Sequence, residues 1–132
     1  MLGSSLVRRL WVLPDFIIVL LFVAIGRSVH DHGVNVGGML STAWPFAAGL
    51  FLGWLAAAKL HRTGTSVVDG AVICLVTVTV AMVLRVVAGQ GTAVAFILVA
   101  LCFLGALMLG WRMLLNRLTR RRSTRRSATS TK

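Results

Sequence analysis

The sequence predicts an all-α membrane protein: a four-helix transmembrane bundle with up-down topology, followed by a disordered basic C-terminal tail. Two observations lead to this fold class. Of the 132 residues, 58% are hydrophobic and only 13% are charged, whereas soluble domains carry about 45–50% apolar and about 25% charged residues. The apolar residues also gather into four long segments, which excludes an ordinary soluble globule.

The four segments cover residues 10–26, 43–58, 67–87 and 92–115. Each is close to the length of about 20 residues that a helix needs to cross about 30 Å of hydrocarbon. The run from Phe16 to Ile25 is apolar on all sides, unlike a soluble amphipathic helix. A helix also satisfies its own backbone hydrogen bonds in lipid. We therefore expect a transmembrane domain over residues 1–115 and a cytoplasmic tail over residues 116–132.

The basic residues predict the orientation of the helices. With the N-terminus inside, only Arg27 and Arg85 fall on the outer side, and the remaining lysines and arginines fall on the inner side. This bias is typical of a cytoplasmic inner side, so we expect a multi-pass protein of the cell membrane with both termini in the cytoplasm. A cleaved signal peptide is a rival interpretation of the N-terminus, but Asp15 interrupts its apolar run.

Charged residues near the segment ends predict two polar clusters. Charge at mid-bilayer costs about 2.5–3.5 kcal/mol, so such residues need partners or a function. One interpretation is that the clusters hold the helix ends in place; the other is that they line a polar vestibule for a proton, an ion or a small polar solute. The predicted inner cluster is Asp15, Asp69 and Arg112; the predicted outer cluster is Arg27, His30, Asp31, Arg85 and Gln90.

The sequence predicts no catalytic, cofactor-binding or metal-binding residues, and no cofactor. His30-Asp31-His32 suggests a metal site, because imidazole and carboxylate are common ligands. Three consecutive residues rarely all reach one ion, however. A fourth ligand would have to be His61, and the predicted topology puts His61 on the opposite side of the membrane. No nucleophile with an activating neighbour accompanies these residues, so the sequence favours a non-enzymatic protein without excluding an enzyme.

Small residues predict close helix packing. Gly49 and Gly53 are spaced four apart in the second segment, and Ala106 and Gly110 repeat this spacing in the fourth. Small side chains let transmembrane backbones approach closely. The pairs could serve packing within the chain or the seam of a homodimer, and the sequence does not choose between them.

The tail after residue 115 contains six arginines, one lysine and no acidic residue. This composition predicts disorder, and each basic residue near an anionic leaflet contributes about 1 kcal/mol of attraction. The expected partners are the lipid bilayer, anionic lipid at the tail, and a second copy or another membrane protein. The net charge of +11 also suits nucleic acid, but we expect none because no aromatic residue lies among these arginines.

Several motifs follow one another in order along the chain. They are Gly26-Arg27-x-x-His30-Asp31, Thr42-Ala43-Trp44-Pro45-Phe46, Gly89-Gln90-Gly91-Thr92-Ala93 and Gly110-Trp111-Arg112. With these motifs, the chain resembles a prokaryotic family of small four-span integral membrane proteins classified as a domain of unknown function, over residues 15–112. The resemblance implies a four-helix membrane domain in a prokaryotic cell membrane and supplies no activity.

Three classes of function follow, in decreasing order of preference. The first is a non-enzymatic membrane component or scaffold that packs with itself or with a larger membrane complex. The alternative is a small transporter or channel subunit for a proton, an ion or a small polar solute. The third is a membrane enzyme, in which His30 and Asp31 would act as acid–base groups.

Overall fold

The computed structural model describes residues 2–29 and 35–130. Four helices occupy these ranges, and no strand occurs within them. The predicted all-α fold class is therefore confirmed. The helices are α1 (Leu2–Val29), α2 (Val36–Lys59), α3 (Val67–Val87) and α4 (Val94–Ser130).

All four helices are long and apolar enough to cross a membrane, as judged by length and composition. The third keeps the predicted bounds of residues 67–87, α1 and α2 extend beyond theirs at both ends, and α4 begins two residues later than predicted and ends later. Helix α2 begins at Val36 because Asn35 caps it, with the Asn35 side chain accepting a hydrogen bond from the Gly38 N–H at 2.6 Å. Pro45, near the start of the predicted segment 43–58, therefore lies inside the helix.

The predicted disorder of the tail is corrected, because α4 continues as a helix to Ser130. No proline follows Pro45 and no glycine follows Gly110, so nothing stops a helix that the apolar span has already nucleated. Arginine is also a good helix former. The Thr124 hydroxyl donates to the Arg120 carbonyl at 2.7 Å, one turn back. The domain boundary after residue 115 stays a prediction.

The helices pack around one apolar core. Helix α1 contacts α2 and α4, α2 contacts α3, and α3 contacts α4. Large apolar side chains also cover the outward faces, and Phe51, Leu75 and Leu98 are each more than half exposed. Exposed apolar surface of this extent suits lipid rather than water. Fully buried apolar core residues include Val19, Phe46, Ile73, Ala81, Leu104 and Met108.

The two pairs of small residues have different surroundings. A Cβ atom on Gly49 would collide with the Thr77 carbonyl oxygen and lie 3.1 Å from the Thr77 Cα, and one on Gly53 would lie 2.9 Å from the Ile73 carbonyl oxygen. The α2 pair thus brings two backbones together within the chain. Around Gly110, by contrast, a Cβ would meet nothing within 4 Å.

Gly49→Ala should lower the free energy of unfolding by about 1–3 kcal/mol, because the added methyl group meets the rigid α3 backbone. Unfolding of the detergent-solubilised protein, followed by circular dichroism, measures the change. Gly110→Ala is the matched control and should be neutral or stabilise by up to about 1 kcal/mol, the usual gain of alanine over glycine in a helix. Equal losses in both variants would contradict this packing.

Candidate functional site

A buried ion pair joins the first helix to the last. Asp15 on α1 accepts from Arg112 on α4 through both carboxylate oxygens: Nη2 to Oδ2 at 2.7 Å and Nη1 to Oδ1 at 2.9 Å. Both side chains are 0% exposed. This two-point geometry is the strongest way in which arginine binds a carboxylate.

Two tryptophans complete the hydrogen bonding of Asp15. Trp54 on α2 donates its indole N–H to Oδ2 at 3.0 Å, and Trp111 on α4 donates to Oδ1 at 2.9 Å. The Arg112 guanidinium also lies 4.4 Å from the centroid of the Trp111 ring, within the range of a cation–π contact. Each carboxylate oxygen therefore accepts two charge-stabilising hydrogen bonds.

The remaining Arg112 donors reach backbone carbonyls. Nε donates to Gly64 and Nη1 also donates to Met108, each at 2.9 Å. Gly64 has a φ of +82°, and a Cβ there would collide with the Trp54 ring, so this position requires glycine. We call Asp15, Trp54, Gly64, Trp111 and Arg112 the ion-pair site.

Asp69, the third member of the predicted inner cluster, does not contact Arg112 directly. It pairs with Arg62 at 3.0 Å, and the Arg62 side chain is 41% exposed. Asp69 also forms a capping box with Ser66 at the start of α3. Its Oδ2 accepts from the Gly64 N–H at 3.1 Å. The Gly64 backbone therefore links the helix cap to the ion-pair site.

Sequence reasoning missed the roles of Trp54, Gly64 and Trp111. None of these three residues belongs to either of the predicted polar clusters. One signal was available: a carboxylate and an arginine predicted at the same depth need further donors, and indole N–H groups near that depth can supply them.

Polar side chains also meet at the opposite helix ends. Arg27 Nη1 donates to the Thr42 hydroxyl at 3.0 Å. Arg85 Nη1 donates to Gln90 Oε1 at 3.1 Å, and Gln90 Nε2 donates to the Ser41 carbonyl at 3.0 Å. Gln90 therefore connects α3 to α2. His30 and Asp31, also predicted for the outer cluster, lie outside the described residues.

These groups line a cavity of about 700 Å³, which we call the arginine cavity. One part of its wall is polar and the other is apolar, and all four helices contribute to it. The polar lining consists of Arg27, Ser41, Thr42, Arg85 and Gln90; the apolar lining consists of Phe22, Val23, Gly26, Ala93, Ala95, Phe96 and Val99.

The chemistry of the remaining polar residues is limited. In the ranges 2–29 and 35–130, no group of three His, Cys, Asp or Glu side chains could hold a metal ion. Cys74 and Cys102 are both free thiols. Thr77, near the middle of α3, donates its hydroxyl to the Ile73 carbonyl at 2.6 Å. It therefore satisfies its polarity within its own helix.

Arg112→Lys should lower the free energy of unfolding by about 3–5 kcal/mol, because an ammonium cannot bond both Asp15 oxygens and the Gly64 carbonyl together. The matched control, Arg62→Lys, changes a partly exposed pair and should cost at most about 1 kcal/mol. Chemical unfolding in detergent measures both values. Similar losses in the two variants would refute the special role of the buried arginine.

Neither a curated protein nor a solved structure matches the chain. A family described as "Protein of unknown function (DUF3054)" matches residues 12–115. This match covers most of the sequence and confirms the resemblance to a family of unknown function. The chain therefore belongs to the DUF3054 family.

Proposed function

We propose that this protein is a non-enzymatic structural component of the cell membrane, a four-helix bundle of up-down topology with both termini in the cytoplasm. The observation that carries the proposal is the Asp15–Arg112 pair, whose two side chains are completely buried. A pair closed to water and saturated with hydrogen bonds suits a structural role, since a proton or ion path needs access to the charged groups.

The positions of the two sites support the up-down topology. The ion-pair site combines residues from the middle of α1, the last turns of α2, the α2–α3 connection and the middle of α4. The arginine cavity combines the end of α1, the early part of α2, the end of α3 and the start of α4. Successive helices that meet in this way run in opposite directions.

The distribution of charge supports the cytoplasmic location of the termini. Lys59 ends α2 and Arg62 follows it near the ion-pair site, and the arginines of the α4 extension lie beyond Arg112. Arg27 and Arg85 lie at the other end. Cytoplasmic ends of membrane helices carry the excess of basic residues.

A transporter is the second candidate, and the arginine cavity is the observation that favours it. Aromatic rings separate this cavity from the ion-pair site. Phe22 lies 5.3 Å from Phe46, 6.0 Å from Phe96 and 5.5 Å from Phe103, measured between ring centroids. Because Thr77 bonds within its own helix, no polar chain among the described residues joins the two sites. This packing favours the structural role.

The α4 extension supplies a surface for partners. Its arginines, from Arg117 to Arg126, are all exposed, and this part of the helix carries no acidic residue. We propose that it contacts anionic lipid headgroups on the cytoplasmic face, where each basic residue contributes about 1 kcal/mol. The exposed Ala106 and Gly110 offer a close-packing surface to a second copy or another membrane protein.

The topology predicts how introduced cysteines react. In a background lacking Cys74 and Cys102, Ala88→Cys should react with a membrane-impermeant maleimide added to intact cells, and Thr63→Cys should react only after permeabilisation. The two sites lie at opposite ends of α3, both exposed. The reverse pattern would overturn the assigned orientation.

The structural role predicts no transport. Liposomes containing the wild-type protein should show the same proton, ion and phosphate flux as empty liposomes. Asp15→Asn should lower the free energy of unfolding by about 3–5 kcal/mol, because it leaves Arg112 buried without a counter-charge. Flux that Asp15→Asn abolishes without altering stability would instead establish the transporter.

A further inference from the structure

One cationic group of the arginine cavity, that of Arg85, has described partners that are neutral. Arg85 donates through Nη1 to the amide oxygen of Gln90 and lies over the Phe96 ring at 4.7 Å. No acidic side chain is among the described residues that line the cavity. Arg112 differs from Arg85, because both terminal nitrogens of Arg112 donate to the Asp15 carboxylate.

Arg85 also retains an unused hydrogen-bond donor. Its Nε atom is buried, and it has no acceptor within the described parts of the chain. A buried donor without an acceptor is unfavourable, and such groups in native structures call for an explanation. Because Arg85 lines the cavity, an oxyanion seated beside its guanidinium can supply the counter-charge that its described partners lack.

The rest of the wall indicates the shape of the bound molecule. Phe22, Phe96 and Val99 give the cavity an apolar side next to the polar one. Its volume of about 700 Å³ falls within the range of about 300–1,000 Å³ typical of small-molecule sites. A free phosphate would leave most of this space empty, whereas an anion with a hydrocarbon chain would fill both parts.

The opening of the cavity favours entry from the side. Ala95 and Val99 line it and are also exposed on the surface of α4. In the proposed topology this surface faces lipid. A membrane amphiphile could therefore place its headgroup beside Arg85 while its chain remains continuous with the bilayer.

We propose that the arginine cavity is a binding site for an amphipathic anion, with a phosphate-type headgroup held by Arg85 and a hydrocarbon chain against Phe22, Phe96 and Val99. This inference goes beyond the structural role, and its failure would leave the ion-pair site and the topology unchanged. The molecule could come from the bilayer, as an anionic phospholipid, or from solution, as an alkyl phosphate.

Binding is tested on the purified full chain in neutral detergent, with hexyl phosphate as the probe and calorimetry as the measurement. Hexyl phosphate should bind at least about tenfold more tightly than hexanol or inorganic phosphate, since only hexyl phosphate has both an anionic headgroup and a hydrocarbon chain. If hexanol bound as tightly as hexyl phosphate, the anion site would be refuted. If inorganic phosphate bound as tightly as hexyl phosphate, the proposed contacts of the hydrocarbon chain would be refuted.

Matched variants locate the site. Arg85→Gln should weaken hexyl phosphate binding by about tenfold or more, the loss expected for a charged hydrogen bond. The control, Arg62→Gln, alters an arginine at the other end and should have no effect. Equal weakening in both variants would show binding by general charge and refute the site.

A second pair of variants keeps both arginines and tests the cavity itself. Ala95→Trp should fill the cavity and abolish binding, whereas Leu98→Trp on an exposed part of the same helix should not. Both changes lie on the exposed surface of α4 and should leave the fold intact. Unchanged affinity in Ala95→Trp would refute binding in this cavity.

The source of the anion is resolved by native mass spectrometry after extraction from vesicles of equal phosphatidylglycerol and phosphatidylcholine. Retention of one phosphatidylglycerol per chain, lost in Arg85→Gln but not in Arg62→Gln, would assign the site to membrane lipid. If hexyl phosphate binds in the calorimeter but no lipid is retained, the site takes its amphipathic anion from solution.

Discussion

A charged pair enclosed by apolar helices is the constraint on which the rest of this structure depends. An ionised carboxylate or guanidinium removed from water is costly unless its partners satisfy it completely. Asp15 and Arg112 meet this requirement through each other, two indole N–H groups and two backbone carbonyls. Every partner must be held in position, and the fold supplies these positions from three helices and one connection.

This requirement explains features that otherwise look unrelated. Gly64 is needed because its carbonyl accepts from Arg112 while the Trp54 ring fills the space of a side chain. Asp69 holds the same connection through the Gly64 N–H and caps α3. The close approach of α2 and α3 at Gly49 sets the spacing of the helices that carry these groups. The ion pair thus ties the first helix, the last helix and the α2–α3 connection into one unit.

The two ends of the helices differ in how completely their polar groups are satisfied. At the ion-pair site, the described donors and acceptors have partners and no solvent reaches the charges. At the arginine cavity, Arg85 binds neutral groups and leaves Nε without an acceptor. A saturated site suits stability, whereas an unsaturated one suits recognition of a ligand.

The helical fold class and the four long apolar helices were predictable because hydrophobic length acts over whole segments. The similar depth of Asp15 and Arg112 in the membrane could be predicted from their positions along the spans. Their contacts with Trp54 could not, because they depend on how each helix is rotated about its axis, and spans that are apolar on nearly all sides do not reveal this rotation. Asp69 was grouped with Arg112 by depth, although Ser66 three residues earlier indicated a helix cap. The prediction of a disordered tail was based on the composition of the tail alone. It did not take into account that the apolar span before the tail nucleates the helix.

A double-mutant cycle on Asp15→Asn and Arg112→Gln, measured as free energies of unfolding in the same detergent, tests the central claim most directly. If each charge is tolerated because of the other, the double variant should be more stable than the sum of the single losses predicts, by about 2 kcal/mol or more. Additive losses within about 0.5 kcal/mol would show that the two residues act independently, and would contradict the account.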